Sequence, residues 1–291
     1  MGRIICSLCL FISTALPAQP YIDIARFNYS YSPEWELGKK ENALESHFFN
    51  INVTLPLELK KGGDAFVINP FFEHNQGEVS GNDFHAVSQG LLVGFLKKEV
   101  FPDWNIMSSF ILRRNKQAEK HVPDEWQYGG LILATWKKDQ SASLKFGIYY
   151  NKEFFGNYFM PLLGIDWRIN EKNNLFGVLP GNMWYEHKVN KKFFYGSAFR
   201  ALTNSYRLET IDPCASGDCS AKNYLRVDDN QLGLFADWYF TKRLVVTGES
   251  GYTIFRRYRY GFKGDDVHIK INYKNDNFYF RASVSYRVRF R

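Results

Sequence analysis

Two cysteines in a polar stretch have a spacing that indicates specific chemistry. Cys214 and Cys219 flank the sequence Ala-Ser-Gly-Asp, and Pro213 precedes them. The other cysteines, Cys6 and Cys9, lie in an apolar N-terminal run that we predict is removed on export. In an oxidising compartment this spacing favours a disulfide, whereas a metal pair needs further ligands nearby. We therefore expect Cys214 and Cys219 to be bonded to each other.

Histidine and serine do not combine into a hydrolytic site on any one segment. Side chains two residues apart share a strand face, so a serine hydrolase built on a strand needs His-x-Ser spacing. None of the six histidines has it; His85 lies three residues from Ser88, and His47 is adjacent to Ser46. A triad assembled across strands stays open, and a lipid-modifying hydrolase is the corresponding alternative. We predict that the protein is not an enzyme and has no catalytic residues.

Acidic and basic clusters do not point to a bound ion or to nucleic acid. Asp228-Asp229 and Asp265-Asp266 could hold a divalent cation, but acids of this kind are mostly solvated. There is no glycine-rich phosphate loop. The formal charge is +7, and the basic residues are scattered as doublets instead of being gathered on one element. We expect no metal, no cofactor and no nucleic-acid partner.

The last fourteen residues, Phe278 to Arg291, alternate between two kinds of side chain. One parity carries Phe278, Phe280, Ala282, Val284, Tyr286, Val288 and Phe290, and the other carries mainly serine and arginine. Successive side chains of a strand point to opposite faces, so the apolar face covers the roughly ten residues that a tilted strand needs to cross a bilayer. This pattern predicts the closing strand of a membrane β-barrel in contact with outer-membrane lipids. Tyr286, Val288 and Phe290 would then form the signal that the barrel-assembly machinery reads.

Alternation of this kind recurs along the chain, with two kinds of connection between the segments. Six connections are short, and most carry basic doublets such as Lys191-Lys192; the others are long and polar. Short turns on the periplasmic side and long loops outside are typical of outer-membrane barrels. The pattern predicts one all-β, antiparallel, up-and-down barrel of about fourteen strands with both termini in the periplasm. Twelve strands is the alternative, if residues 174–189 are not a spanning hairpin.

Composition and the N-terminus agree with an exported barrel. Arg3, an apolar core and Leu16-Pro17-Ala18 predict a signal peptide over residues 1–18, which leaves residues 19–291 as the barrel. No run of 18 apolar residues follows, which excludes a spanning helix, and 18% of residues are aromatic. We predict the outer membrane of a Gram-negative bacterium as the location. A soluble exported β-protein is the alternative.

Two adjacent segments carry a resemblance to known proteins. The stretches from Met160 to Asn170 and from Asn174 to Asn182 resemble a family of bacterial outer-membrane β-barrel proteins of unknown function. The resemblance implies a barrel in that compartment. It implies no reaction.

Charged residues on the parity opposite the apolar face predict the lining of the lumen. They are Arg257, Arg259, Arg281, Arg287 and Arg289, with Glu249, Asp166 and Asp237 as their counter-charges. Pairing the last hairpin from its periplasmic end places Glu249 level with Ser285 and Arg287. We expect the charges to neutralise one another and Phe255 to point inward. The protein would be a narrow, passive, mildly anion-preferring channel for a small solute, or a structural or binding barrel of unknown ligand.

Overall fold

The computed structural model describes residues 20–33, 45–59, 63–79, 82–118, 122, 124–208, 223–262, 271–274 and 276–290. These residues contain no helix that is long and apolar enough to cross a membrane. Their first eight strand segments are β1 (Tyr21–Ser32), β2 (Ser46–Val53), β3 (Leu55–Glu58), β4 (Ala65–Val79), β5 (Asn82–Phe101), β6 (Trp104–Gln117), β7 (Trp126–Lys137) and β8 (Ala142–Glu153). The next eight are β9 (Gly156–Arg168), β10 (Asn173–Leu179), β11 (Asn182–Lys188), β12 (Phe193–Arg207), β13 (Asn223–Tyr239), β14 (Leu244–Phe262), β15 (Ile271–Lys274) and β16 (Phe278–Arg289).

The strands form one closed antiparallel sheet. Each pairs with its neighbours in sequence order, and β1 pairs with β16 to close the ring. β2 and β3 lie end to end on β4, and β15 and β16 lie end to end on β14, so the sixteen segments build fourteen wall strands. The predicted up-and-down barrel of about fourteen strands is therefore confirmed. The alternative of twelve strands required that the β10–β11 hairpin not be part of the wall. This hairpin is paired with β9 on one side and with β12 on the other.

The wall is apolar outside and polar inside. On β13, Leu234 is 71% exposed and Trp238 is 58% exposed, whereas Asp237 between them is buried. β16 shows the same alternation, with Phe280, Val284 and Tyr286 exposed and Arg281, Ser283, Ser285 and Arg287 buried. A soluble β-protein has the opposite arrangement, because its apolar face covers a core and its polar face contacts water. The outside of this barrel is therefore suited to lipid.

Four of the short turns are closed by the same pattern of side-chain-to-backbone hydrogen bonds. Asp139, Asn170, Asn190 and Thr241 each accept hydrogen bonds through a side-chain oxygen from the backbone N–H groups two and three residues later. In the first turn Ser141 also donates its hydroxyl, and its hydrogen bonds hold the pKa of Asp139 below its ordinary value. Lys191-Lys192 and Lys242-Arg243 occupy the middle of two of these turns, where their side chains are exposed. These turns lie at the end of the barrel where β1 begins and β16 ends, called here the terminal end.

The opposite end, called here the loop end, has an uneven rim. β10 and β11 have only seven residues each, so their ladders stop at Leu163 on β9 and at Arg200 on β12. β9 and β12 continue beyond that hairpin. The end of β12 lies against β6, where Arg207 pairs with Lys116 in parallel, although five strands separate β6 from β12 in the wall. β12 therefore crosses part of the loop end of the lumen.

A β-bulge in β14 changes which side chains face inward. Phe255 has a backbone φ of 58°, and the register against β13 shifts between Asp228 and Asn230. Phe255 is 67% exposed on the outer surface, whereas Arg256 and Tyr258 are buried inside. The prediction that Phe255 points inward is therefore wrong, because a bulge adds one residue to the strand and reverses the alternation beyond it.

Candidate functional site

Glu249 on β14 is the centre of the polar lumen. It is 6% exposed and lies directly opposite Arg281 of β16, whose Nη1 is 3.3 Å from Glu249 Oε1. Arg200 reaches it from β12 with both terminal nitrogens, one of them 2.7 Å from Glu249 Oε2. The hydroxyl of Tyr279 donates to Glu249 Oε1 at 2.6 Å. One carboxylate thus joins three wall strands, with a paired contact to Arg200 of the kind that fixes geometry most strongly.

The partner of Glu249 differs from the sequence-based expectation. Glu249 is level with Arg281 and not with Ser285 or Arg287, because β14 begins at Leu244 opposite Tyr286. β16 continues three residues further toward the terminal end than its partner. Closing a sheet into a barrel requires such a stagger between strands, and pairing one hairpin from its turn takes no account of it.

Arg287 is held by acids on β1 and β13, and Arg289 is held by an acid on β11. Arg287 is 1% exposed, and it donates to Asp23 Oδ1 at 2.6 Å and to Asp237 Oδ2 at 2.5 Å while lying over the ring of Tyr21. Arg289 donates to the hydroxyl of Tyr239 at 2.9 Å and pairs with Glu186 on β11. Of the predicted counter-charges, Asp237 therefore lies in the same cluster as Arg287. Asp166 lies elsewhere, on β9, and pairs with Lys145 at 2.7 Å.

At the loop end, Arg256 takes the place that the sequence assigned to its neighbours. Its terminal nitrogens lie 3.2 Å from Ser32 Oγ, 3.1 Å from Ser46 Oγ and 3.4 Å from Asp229 Oδ2. The predicted lumen residues Arg257 and Arg259 lie beyond the bulge, on the outward parity. Arg259 contacts Asp228, which shares that parity. The assignment of Arg257 and Arg259 to the lumen is wrong, and the physical reason is the extra residue at Phe255.

A second polar cluster joins β12 to the opposite wall. Ser205 Oγ donates to Glu153 Oε2 at 2.6 Å, and Glu153 also pairs with Arg113 of β6. Asn115 Nδ2 donates to the backbone oxygen of Ser205 at 3.1 Å, and Gln127 Nε2 donates to Ser205 Oγ at 3.0 Å. These side chains are buried. Together they cover the loop end of the lumen above β6, β7 and β8.

The charges of the lumen are largely matched. Eight basic side chains on the inward parity each contact a carboxylate: Arg26, Arg113, Lys145, Arg200, Arg256, Arg281, Arg287 and Arg289. The carboxylates that they share are Asp23, Glu153, Asp166, Glu186, Asp229, Asp237 and Glu249. Glu73 is a further inward acid, and it accepts a hydrogen bond from Asn50.

Sequence reasoning missed several of these residues for two different reasons. Arg200 and Glu186 lie on strands whose alternation was readable, and their position opposite the apolar parity was the signal that could have identified them. Arg113 and Glu153 carry the same signal. Arg256 carries none, because simple alternation from Glu249 assigns it to the outside.

Other predicted residues either lie at the exterior or fall outside the description. Tyr286 and Val288 lie on the outward parity of β16, with Tyr286 39% exposed, and Phe290 directly follows the strand. Cys214, Cys219 and residues 1–18 lie outside the described residues, so the disulfide and the signal peptide stay predictions. Among the described residues no group of histidine, cysteine and acidic side chains is arranged to hold a metal ion.

Fold and lumen together define the class: a closed β-barrel with an apolar exterior and a polar interior. A family model described as "Domain of unknown function (DUF6268)" matches residues 102–291. This match covers about two thirds of the chain, and the chain therefore belongs to that family. None of the curated proteins matches its sequence.

Three solved structures with a similar fold are named as channels or porins. A mutant of the TodX monoaromatic hydrocarbon channel is 9% identical, with 96% of this chain and 92% of that chain covered and a TM-score of 0.44. An outer-membrane channel from Pseudomonas putida F1 is 10% identical, with 95% and 98% covered and a TM-score of 0.47. A mutant porin of Rh. blastica is 12% identical, with 92% and 98% covered and a TM-score of 0.27. At these identities the similarities do not indicate what this chain conducts or binds.

Proposed function

We propose that the protein is a narrow, passive channel in the outer membrane of a Gram-negative bacterium. The observation that carries the proposal is the closed wall with apolar side chains outside and ion-paired side chains inside. An apolar exterior inserts into lipid, and a closed ladder leaves no unpaired strand edge there. The charges inside would then line a water-accessible path.

The matched charges favour weak ion selectivity. Rings of unpaired charge select strongly for counter-ions, whereas paired charges produce little field along the axis. At the loop end, Arg226 and Arg259 share the single carboxylate of Asp228, so this group of described residues carries one more positive charge than negative. This excess supports the mild anion preference expected from the sequence.

Planar-bilayer recording of the purified protein tests the channel. We expect small conductance steps and a reversal potential, in a potassium chloride gradient, that is displaced slightly toward that of chloride. Large steps or cation selectivity would contradict the proposal.

A structural or binding barrel is the second candidate, and the crossing of β12 favours it. The cluster of Glu153 and Ser205 covers part of the loop end, which narrows the route through the lumen. A fully closed lumen would show no conductance at any voltage. Electrical silence of a correctly folded preparation would therefore support this candidate over the channel.

The compartment and the remaining alternatives have direct tests. Membrane fractionation and heat-modifiable mobility on a gel distinguish an outer-membrane barrel from a soluble exported β-protein. Analysis of membrane lipids after overexpression tests the lipid-modifying hydrolase, which predicts a changed acyl composition. N-terminal sequencing of the mature protein tests the cleavage of residues 1–18.

A further inference from the structure

The two sides of the lumen differ in chemical character. β5 to β9 present to the interior a set of aliphatic side chains, called here the apolar wall: Leu92, Met107, Ile111, Leu131, Leu133 and Met160. Their inward direction follows from alternation, because Ile132 between two of them is 57% exposed outside, as is Phe110 beside Ile111 at 54%. The opposite side, from β11 to β1, carries the arginine and acid clusters around Glu249 and Arg287.

The members of the apolar wall are neighbours across the strands. Met107 is level with Leu133, and Leu92 is level with Ile111. Leu131 is level with Tyr149, which in turn is level with Met160. Facing positions on adjacent strands lie within side-chain contact, so the six residues form one surface together with Tyr149 and the small Ser109 between Met107 and Ile111.

This surface is accessible from the lumen. All six members are half-buried, and an inward side chain of a closed barrel can expose its remaining surface only to the interior. Gly94 and Gly147 occupy inward positions beside them, and a glycine removes side-chain bulk from the lumen at that level. Polar groups bound the surface at both ends, with Glu153 toward the loop end and the Lys145–Asp166 pair toward the terminal end.

We infer that the lumen takes small amphipathic solutes with a compact aliphatic or aromatic body and one oxygen-bearing head group. The body would lie on the apolar wall, where each methylene removed from water gains affinity. The head group would accept hydrogen bonds from the guanidinium groups opposite, because arginine has five N–H donors and no acceptor. This inference rests on the proposed channel and specifies its substrate class.

Hexanoate and gluconate form a matched pair of probes. Both are six-carbon monocarboxylates with the same charge, and they differ in the hydroxyl groups that make gluconate polar along its length. Reversal potentials measured in bilayers, with sodium hexanoate or sodium gluconate against sodium chloride at alkaline pH, give the permeability of each anion relative to chloride. We expect the relative permeability to hexanoate to exceed that to gluconate by about tenfold or more. Burying even part of a methylene group favours the bound state by a factor of about two, and the factors of successive methylenes multiply. In the series from acetate to hexanoate, the permeability relative to chloride should not decline as the carbon chain lengthens.

Substitution of the apolar wall tests its role. The double variant Leu131→Asn with Leu133→Asn keeps side-chain size and should bring the hexanoate-to-gluconate ratio down at least fivefold. The double variant Leu131→Met with Leu133→Met keeps the surface apolar and should preserve the ratio. Heat-modifiable mobility and chloride conductance establish that each variant has folded.

The outcomes separate this inference from the channel itself. Chloride conductance with equal permeability to the two probes, or a ratio unchanged by the asparagine pair, overturns the substrate class and leaves the channel standing. Absence of all conductance overturns the channel. In that case, titration calorimetry of the detergent-solubilised barrel decides the inference, because binding of hexanoate but not gluconate sustains it and binding of neither overturns it.

Discussion

Replacing Glu249 by glutamine removes the charge that holds the central cluster together. Arg200 and Arg281 both contact this carboxylate, and Tyr279 donates its hydroxyl to it. Among the contacts of the described residues, Glu249 is the only acid within ion-pair distance of either arginine. Glu249→Gln therefore leaves the buried guanidinium of Arg281 and the partly buried one of Arg200 without a counter-charge, while the volume of the side chain is almost unchanged.

The expected loss of stability is large for a single substitution. Breaking a buried ion pair by removing one partner costs about 3 to 5 kcal/mol, because the remaining charge stays desolvated. Arg281 keeps hydrogen bonds to Gln231 Oε1 at 2.6 Å and to Ser30 Oγ at 2.7 Å, which places the expected cost at about 3 kcal/mol, the lower end of that range. The unpaired arginines should also draw anions into the lumen, so chloride selectivity should rise.

Equilibrium unfolding in urea, followed by tryptophan fluorescence, measures the free energy of unfolding, and planar-bilayer reversal potentials measure the selectivity. Glu171→Gln is the matched control, because Glu171 is exposed in the turn between β9 and β10. This control should change the free energy of unfolding by less than about 0.5 kcal/mol. If Glu249→Gln behaves like the control in both measurements, the central role of the ion pairs is refuted.

Three further predictions concern assembly, the disulfide and topology. Deletion of residues 278–291 should prevent insertion, because it removes β16 and with it the closure against β1; normal outer-membrane levels of the truncated protein would contradict this. Cys214 and Cys219 should be blocked to alkylation in the unreduced protein, as mass spectrometry can show, and their short loop limits the stabilisation to about 3 kcal/mol or less; free thiols would exclude the bond. Single cysteines replacing Lys191 and Lys242 should resist a membrane-impermeant label on intact cells, because both lie in terminal-end turns; efficient labelling would invert the topology.

The closing strand shows how much alternation alone can predict. The apolar and polar parities of residues 278–290 correspond to the outside and inside of β16, as the exposure of Phe280 and the burial of Arg287 show. This correspondence follows from the backbone, since a strand without a bulge alternates strictly between two faces. The barrel, its approximate strand count and the lumen side of Arg281, Arg287 and Arg289 were therefore predictable from residue types.

Alternation fails where a strand is irregular. Arg257 and Arg259 were assigned to the lumen by parity from Glu249, and one bulged residue at Phe255 placed Arg256 there instead. No signal in the residue types of that stretch identifies the bulge. Its position is determined by how β14 is paired with β13, which is a property of the assembled wall.

The sequence by itself determined the class of structure, the face of each regular strand and the supply of matched charges. Only the tertiary structure decided which charges meet. It places Glu249 level with Arg281, brings Arg200 of β12 to the same carboxylate, and brings β12 into contact with β6 across the lumen. These pairings depend on the stagger that closes fourteen strands into a ring, and stagger is a global quantity shared by all of them. Local sequence patterns indicate which face of the wall a residue occupies. Only the closed barrel determines the level of that residue along the barrel axis and its partner across the lumen.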